Sequence, residues 1–322
     1  MRKLKKYYSN IQIKMNKNSV ISILGPTGVG KSELAFCLAE KIDGEIISSD
    51  SRQIYRWMDI GTDKPNQEKL KKIKHHCINI LNPDEYYSAG EYAKNTRKII
   101  LEILKKGKVP IVVGGSGLYI RALFDGLFSE PVKDLILKNQ LRKKAQEGKI
   151  EELFNELKKI DPEYAERVSL KDSQRIVRAL EVYYTTGKKI TEFWKEHQKR
   201  EFLPVIFIGL MRKRTELYKR IEDRIDRMLK SGLIEETQKL LNMGYGKNLN
   251  SMQTIGYKEV IEYLDKKISY EEMVYLIKKK TRNYAKRQIT WFKKDKRIDW
   301  FYMNRKCSYA ELIDTIVHKY FI

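Results

Sequence analysis

The chain has 322 residues, and its 65 lysines and arginines against 42 aspartates and glutamates leave a formal net charge of +23. This length predicts about two domains, and a composition that is 42% apolar and 11% aromatic excludes a disordered or low-complexity chain. The three cysteines form no CxxC pair, which argues against a disulfide framework and a cysteine-rich zinc site. Neither a membrane-length apolar run nor a signal peptide behind the basic lead 1–18 is present, so we expect a cytoplasmic protein with a polyanionic partner.

The first half of the chain alternates predicted strands and helices. VISIL at 20–24 is β-branched and apolar, which is typical of a buried strand, and EIISSD at 45–50 and VPIVVGG at 109–115 predict two more. Apolar periodicity predicts a helix over 33–42, and a capping box at 88–91 predicts the start of another. Strands that alternate with helices indicate a parallel, doubly wound α/β core.

The second half is dominated by helical sequence. From about 129 to 200 the strand signal disappears and charged helical sequence replaces it. VIFIGL at 205–210 is then typical of a strand that returns to the first sheet, and helices are expected from there to the end. We therefore predict an α/β core formed by residues 1–128 and 201–322, interrupted by a helical insertion domain formed by residues 129–200.

A phosphate-binding loop is predicted between the first strand and the first helix. GPTGVGKS matches G-x-x-x-x-G-K-[ST], a pattern in which glycines let backbone N–H groups turn toward phosphate oxygens at a helix N-terminus. Lys31 adds a full positive charge, and the hydroxyl of Ser32 can bind magnesium. The pattern predicts a site for a di- or triphosphate group without specifying ATP, and the site comprises Gly25, Pro26, Thr27, Gly28, Val29, Gly30, Lys31 and Ser32.

Asp50 ends the second predicted strand. The carboxyl ends of strands in an open α/β sheet face the ligand crevice. A carboxylate at this point can be a base, a metal ligand or a substrate anchor, and the alternative is a cap for the turn that follows.

Arg224 falls inside the apolar stripe of a predicted helix. With about 100° per residue, it lies about 20° from Leu217, on the face that carries Ile221 and Met228. A guanidinium that faces inward needs an anionic partner. That partner is an internal carboxylate or a ligand phosphate, and the sequence leaves both open.

Basic charge is concentrated in residues 278–297, where Tyr284, Trp291 and Phe292 are interleaved with it. This combination favours RNA, because phosphates take the charge and splayed bases stack on aromatic rings. The alternative is a solvated amphipathic helix whose aromatic side chains face the core.

Taken alone, two other segments predict structural elements rather than functional sites. The sequence 172–187 predicts an amphipathic helix that ends at Gly187, with an apolar face covered by Ile176, Val177, Leu180 and Tyr184. HHC at 75–77 predicts a polar loop or a strand edge rather than a metal site, because no second cluster completes a tetrahedron.

Taken together, these segments resemble the tRNA dimethylallyltransferase (tRNA isopentenyltransferase) family. Seven blocks appear in the family's order over residues 20–293, and they are GPTGVGKS, SSDSRQIYRWMDIGTDKP, VVGGSGLYIRAL, DSQRIVRALEVYYTTGK, LYKRIEDRIDRML, SMQTIGYKEV and AKRQITW. The resemblance implies a P-loop NTPase-like fold that holds a prenyl diphosphate where those proteins hold nucleotide phosphates. It also implies transfer of a dimethylallyl group to the exocyclic amine of the adenosine 3′-adjacent to the anticodon, in tRNAs that read U-initial codons.

The resemblance also implies roles for individual residues. Thr27, Lys31 and Ser32 would hold the diphosphate with magnesium, Arg224 would neutralise the leaving group, and Asp50 would accept the amine proton. The residues implied to contact tRNA are Asp50, Ser51, Arg52, Gln53, Ser116, Gln174, Arg175, Ile176, Val177, Arg178, Gln253, Thr254, Ile255, Gly256, Tyr257 and Lys258. The expected partners are tRNA and dimethylallyl diphosphate, without a membrane, and we expect a monomer.

Three other functions stay open at this level. A small-molecule or nucleoside kinase also pairs a phosphate loop with an aspartate after the second strand. A prenyltransferase that acts on free adenine nucleotides would need neither the basic stretch nor the insertion. An RNA-binding protein could keep the loop for structural reasons alone.

Overall fold

The computed structural model describes residues 19–126, 134–197, 203–303 and 308–321. The basic lead 1–18 lies outside the described residues, as do both ends of the predicted insertion domain. The chain forms two compact units. The α/β unit comprises the described residues of 1–87, 95–120 and 203–322, and the helical unit comprises those of 88–94 and 121–202.

A parallel sheet forms the centre of the α/β unit. Its strands are β1 (Val20–Leu24), β2 (Gly44–Ser48), β3 (His75–His76), β4 (Val109–Gly114), β5 (Val205–Met211) and β6 (Asp299–Tyr302), in the order β3-β2-β4-β1-β5-β6. In β1, Ser22 lies opposite Val112 of β4 and Phe207 of β5. Every residue of β1 and β2 is buried, as expected for strands covered on both faces. The predicted strands and the P-loop NTPase-like α/β core are therefore confirmed, including the return of β5 to the first sheet.

The two edge strands differ in how well the sequence predicted them. His75 and His76 form β3, which confirms the strand-edge interpretation, and the Nε2 atom of His76 lies 2.7 Å from a carboxylate oxygen of Glu45. The expectation of helices alone after β5 is wrong, because Asp299–Tyr302 pair in parallel with β5. A four-residue edge strand is too short to show a period of its own, and its aromatic residues resemble a continuation of the basic aromatic stretch.

Some of the helices surround this sheet, and others build the helical unit. In chain order they are α1 (Lys31–Lys41), α2 (Gln67–Lys72), α3 (Ala89–Lys105), α4 (Gly117–Arg121) followed by a π-helical turn (Ala122–Gly126), α5 (Leu135–Gln146), α6 (Ile150–Ile160), α7 (Pro162–Ala165), α8 (Ser173–Thr186), α9 (Ile190–His197), α10 (Arg214–Lys230), α11 (Leu233–Asn242), α12 (Tyr257–Leu264), α13 (Tyr270–Phe292) and α14 (Tyr309–Phe321). The predicted capping box is present, since Ser88 and Glu91 exchange hydrogen bonds of 2.9–3.1 Å. Within the described parts of the chain, no helix combines the length and the apolar character needed to span a bilayer.

Each unit has a hydrophobic core of its own. In the α/β unit, Ile21 and Ile208 of the sheet pack with Leu217 and Ile221 of α10 and with Ile277 of α13. The core of the helical unit is built by residues of α5 to α9, among them Leu141, Leu153, Leu157, Ile176, Val177, Leu180 and Phe193. A separate core in each unit is what an inserted domain requires.

Four segments that carry candidate site residues of the α/β unit, three of them predicted, meet at the carboxyl edge of the sheet. Residues 25–32 follow β1, Asp50 follows β2, Ser116 follows β4 and Arg212 follows β5. Because the strands are parallel, these four segments leave the sheet at one edge, which is the edge at which open α/β sheets bind ligands.

Candidate functional site

The glycine-rich loop (residues 25–32) is packed tightly against β5 and α10. Gly25 and Gly28 have φ angles of 143° and 79°, in the region that favours glycine. A Cβ atom on Gly25 would lie 2.6 Å from the carbonyl oxygen of Leu210, and one on Gly28 would lie 2.9 Å from the side chain of Ile221. Both the backbone conformation and the lack of space therefore require glycine, as expected for a loop shaped as a phosphate cradle.

Lys31 folds back over this loop and lies near three other charged groups. Its Nζ atom donates to the carbonyl oxygen of Pro26 at 2.7 Å. Burial lowers the pKa of Lys31 to about 7; Asp50 and Asp63 oppose that shift, and Arg224 adds to it. Two cations and two carboxylates thus act on one another beside the loop.

Arg224 projects from α10 toward this group. Leu217, Ile221 and Met228 of the same helix are buried, which confirms the predicted apolar stripe. Arg224 donates from Nη1 to Oδ2 of Asp63 at 3.2 Å, and its side chain is 18% exposed against 55% for Asp63. Its Nε is buried with no hydrogen-bond partner among the described residues. In this structure the anionic partner of Arg224 is therefore an internal carboxylate. A contact between Arg224 and a ligand phosphate is a proposal.

Asp50 is half-buried at the end of β2. One carboxylate oxygen accepts the backbone N–H of Arg52 at 2.8 Å, which is the turn-capping role given above as the alternative. The hydroxyl of Ser116 accepts the N–H of Ser51 at 3.0 Å, so the turn after β2 is joined to the turn after β4. Burial and the nearby Asp50 raise the pKa of Tyr284 to about 12. Asp50, Ser51 and Ser116 are therefore brought together, as the family resemblance implies.

Two residues that sequence reasoning missed hold the loop in place. Gln288 is buried and accepts the N–H of Thr27 at 2.8 Å, while its own amide nitrogen donates to Gly115 at 2.9 Å. Arg212 donates from Nε to the carbonyl oxygen of Val29 at 2.8 Å. Gln288 lies on the buried face of α13, so the reasoning that singled out Arg224 as a polar residue in an apolar stripe could also have found it.

The residues implied to contact tRNA differ in their accessibility. On α8, Gln174 and Arg175 are exposed and Arg178 is half-buried, whereas Ile176 and Val177 belong to the core of the helical unit. These two side chains are buried, so they are not accessible to RNA. Tyr184, predicted on the apolar face, is 45% exposed.

A second group, Gln253 to Lys258, precedes and opens α12. Tyr257 is completely buried, and its hydroxyl donates to Glu236 at 2.6 Å, so its side chain is also unavailable to RNA. Gln253 is exposed, and Lys258 is half-buried. Arg52 donates to the carbonyl oxygen of Asn250, three residues before this segment, at 2.7 Å.

The basic stretch contains both internally paired and exposed cations. Lys278 pairs with Asp226 at 2.7 Å and Lys280 with Glu259 at 2.8 Å. The exposed cations are Lys279, Lys286, Arg287, Lys293, Lys294 and Lys296. Trp291 is 42% exposed while Phe292 is buried. The burial of Phe292 agrees with the amphipathic-helix alternative, and RNA binding by the exposed face of α13 stays a prediction.

Comparison with known proteins identifies the family. The family model described as IPP transferase matches residues 53–295. A tRNA dimethylallyltransferase of Thermotoga neapolitana is 48% identical over 279 residues, covering 86% of this chain and 90% of the relative.

Solved structures agree with that match. The tRNA isopentenylpyrophosphate transferase of Bacillus halodurans aligns with a TM-score of 0.69 at 34% identity, covering 94% of this chain and 96% of its own. A eukaryotic dimethylallyltransferase described as acting on tRNA aligns with a TM-score of 0.73 at 30% identity, covering 88% of this chain and 74% of its own.

Proposed function

The chain belongs to the tRNA dimethylallyltransferase (IPP transferase) family, and from that membership we propose the reaction that it catalyses. The enzyme transfers the dimethylallyl group of dimethylallyl diphosphate to the exocyclic N6 amine of the adenosine 3′-adjacent to the anticodon, in tRNAs that read U-initial codons. Diphosphate is the second product. We propose that the enzyme acts in the cytoplasm as a monomer.

One observation supports this assignment most strongly. The cations of Lys31 and Arg224 lie beside a glycine-rich loop, and the carboxylate of Asp50 lies close enough to act on Lys31. A diphosphate needs fixed positive charge, and an amine nucleophile needs a base within reach. The carboxyl edge of the sheet offers both.

The loop and the two cations are the proposed diphosphate site. Backbone N–H groups within residues 28–32, with the side chains of Thr27, Lys31 and Ser32, would hold the diphosphate oxygens. Once Asp63 has moved away, Arg224 would neutralise the charge that develops as the allylic carbon–oxygen bond breaks.

Magnesium is the proposed cofactor. The exposed hydroxyl of Ser32, in the first turn of α1, is an oxygen ligand of the kind that this ion prefers. When bound, magnesium would add positive charge against the diphosphate oxygens.

Asp50 is the proposed base. As the new bond between N6 and the allylic carbon forms, the amine proton passes to the carboxylate oxygen of Asp50, and the electron pair of the broken bond leaves with diphosphate. An aromatic amine is a poor nucleophile, so its placement against the allylic carbon contributes alongside proton transfer. The target base leaves its stack to reach this edge of the sheet.

Exposed cationic and polar side chains are the proposed tRNA contacts. Arg175 and Gln174 of α8 are accessible, and so are Lys286 and Arg287 of α13. These positions suit the phosphate backbone, whose contacts supply affinity without reading sequence.

Prenyl transfer with labelled dimethylallyl diphosphate and magnesium tests the proposal. Three acceptors are compared, namely an unmodified tRNA that reads a U-initial codon, AMP, and no acceptor. We expect label in tRNA alone, and none with Asp50→Ala. Label in AMP would show that the protein prenylates free nucleotides. If no acceptor is labelled and the protein turns over ATP, a kinase would be favoured.

A further inference from the structure

Asp63 is the partner of Arg224, and its position is built into the fold. Its backbone has a φ of 54°, in the left-handed region that aspartate and asparagine tolerate better than most residues. The side-chain amide of Gln53 donates to the carbonyl oxygens of Thr62 and Asp63, both at 3.2 Å. The carboxylate is therefore presented to Arg224 by a held backbone.

The segment just before Asp63 is held from the other side. The carboxylate of Glu236 on α11 accepts the backbone N–H groups of Asp59, Ile60 and Gly61 at 2.9–3.1 Å. The N–H of Asp63 also donates to the carbonyl oxygen of Ile60 at 3.0 Å. These contacts make the approach of Asp63 to Arg224 a property of the folded loop rather than of a free surface side chain.

The two members of the pair are unequally hydrated. Asp63 is 55% exposed and can return to water at little cost, whereas Arg224 is 18% exposed and its Nε is buried without a partner among the described residues. A guanidinium in that position depends on a nearby anion. When the pair separates, the carboxylate is the member that moves away, and Arg224 stays where a ligand anion can reach it.

Asp63 also balances the charge of the loop. Both charges act on the pKa of Lys31, because Arg224 lowers it and Asp63 raises it. Asp63 therefore offsets part of the positive potential that two neighbouring cations create. An arriving diphosphate carries the same sign of charge as Asp63 and offers Arg224 a stronger partner.

We propose that Asp63 is an internal counter-ion that holds Arg224 in the free protein, competes with the diphosphate for it, and thereby sets the affinity of the site for diphosphate. This inference rests on the proposed function, because it takes the diphosphate site as given. After transfer, the return of Asp63 to Arg224 favours release of the diphosphate product. Asp63 is thus a positioning residue that acts through Arg224.

Binding of inorganic pyrophosphate with magnesium, measured by titration calorimetry on the full chain, tests the proposal. Asp63→Asn removes the charge with little change in shape, and Asp63→Gly removes the side chain, while both residues accept a φ of 54°. The matched control is Asp223→Asn, because Asp223 is exposed on α10 directly before Arg224 and changes the net charge equally.

We expect both Asp63 variants to bind pyrophosphate about threefold to tenfold more tightly than the wild type, with the control unchanged. In the transfer assay, inhibition by pyrophosphate should strengthen by the same factor. A damaged fold would weaken binding, so tighter binding separates the counter-ion role from a structural one.

Two results would overturn the proposal. Equal or weaker binding in both Asp63 variants would show that Asp63 does not compete for Arg224. Equally tighter binding in Asp223→Asn would show a general charge effect. A wild-type protein that fails to bind pyrophosphate would contradict the diphosphate site itself, and so the proposed function.

Discussion

The carboxyl edge of the sheet and helix α8 are both rich in motif residues, but they use their polar side chains in opposite ways. At the sheet edge, Arg224, Arg212 and Gln288 are mostly buried, and their partners are loop atoms or a carboxylate. On α8, Gln174 and Arg175 are exposed, and the buried positions are apolar except for Glu181, which pairs with Arg178 at 2.9 Å.

The difference follows from the kind of ligand proposed for each region. A small dianion is bound best by cations that are fixed in place and shielded from water, where their charge is screened least. A long RNA backbone is reached by accessible cations, each of which contributes a modest and salt-dependent amount. The burial of Arg224 therefore goes with a proposed role in chemistry, and the exposure of Arg175 goes with a proposed contact to RNA.

The strongest test of the sheet-edge region is Asp50→Ala. If Asp50 accepts the amine proton, the rate of prenyl transfer should fall by about 10²–10⁴-fold, while tRNA affinity changes little. Single-turnover assays and filter binding would measure the two quantities. A variant that keeps more than about a tenth of the rate would contradict the role of Asp50 as the base.

Arg224→Ala should give the next largest effect. We expect kcat/KM for dimethylallyl diphosphate to fall by about 10²–10³-fold, because charge on the leaving group loses its fixed partner. Arg227→Ala is the control, since Arg227 is exposed one turn further along α10. Unchanged kinetics in Arg224→Ala would mean that the side chain serves only its pair with Asp63.

Substitutions at two neighbouring residues of α8 should have different effects, one on stability and the other on RNA binding. Ile176→Ala creates a cavity in the core of the helical unit and should cost about 2–5 kcal/mol of unfolding free energy. Arg175→Ala should change stability by less than about 0.5 kcal/mol and weaken tRNA binding several-fold. Urea unfolding and filter binding test both, and a reversed pattern would contradict the assignment of the two faces.

The pKa of Lys31 predicts how diphosphate affinity depends on pH. Its value of about 7 means that the free protein loses this charge as pH rises through neutrality, whereas a bound anion favours the charged form. Pyrophosphate affinity should therefore fall by up to about tenfold per pH unit above 7.

Lys31→Arg is the control for this pH dependence. Arginine keeps its charge throughout the range, so the extra decline should disappear, while the titration of pyrophosphate itself is common to both proteins. The same slope in both proteins would show that Lys31 does not contribute it.

The smallest expected effect concerns the two faces of α13. Lys286→Gln should lower the slope of log affinity for tRNA against log salt by about one unit, because an exposed cation no longer releases a counter-ion. Lys278→Gln should leave the slope nearly unchanged, since Lys278 pairs with Asp226. Equal slopes for both variants would remove α13 from the RNA surface.

Local sequence patterns predicted most of the fold. The four long strands, the loop between β1 and α1, and the helical character of the insertion follow from apolar runs, glycine spacing and the absence of β-branched runs. The strand β6 escaped prediction because four residues at a sheet edge have no period of their own and depend on the neighbouring β5.

The sequence by itself determined the glycine-rich loop, the placement of Asp50 after β2 and the inward face of Arg224, because each depends only on periodicity and on neighbours along the chain. Tertiary structure alone decided that Asp63 pairs with Arg224 and that Gln288 joins Thr27 to Gly115, since these partners are separated by 161 to 261 positions. It also decided that Tyr257 is buried, whereas periodicity had already placed Ile176 and Val177 on an apolar face. Contacts between distant segments arise from packing, and local patterns carry no record of which segments meet.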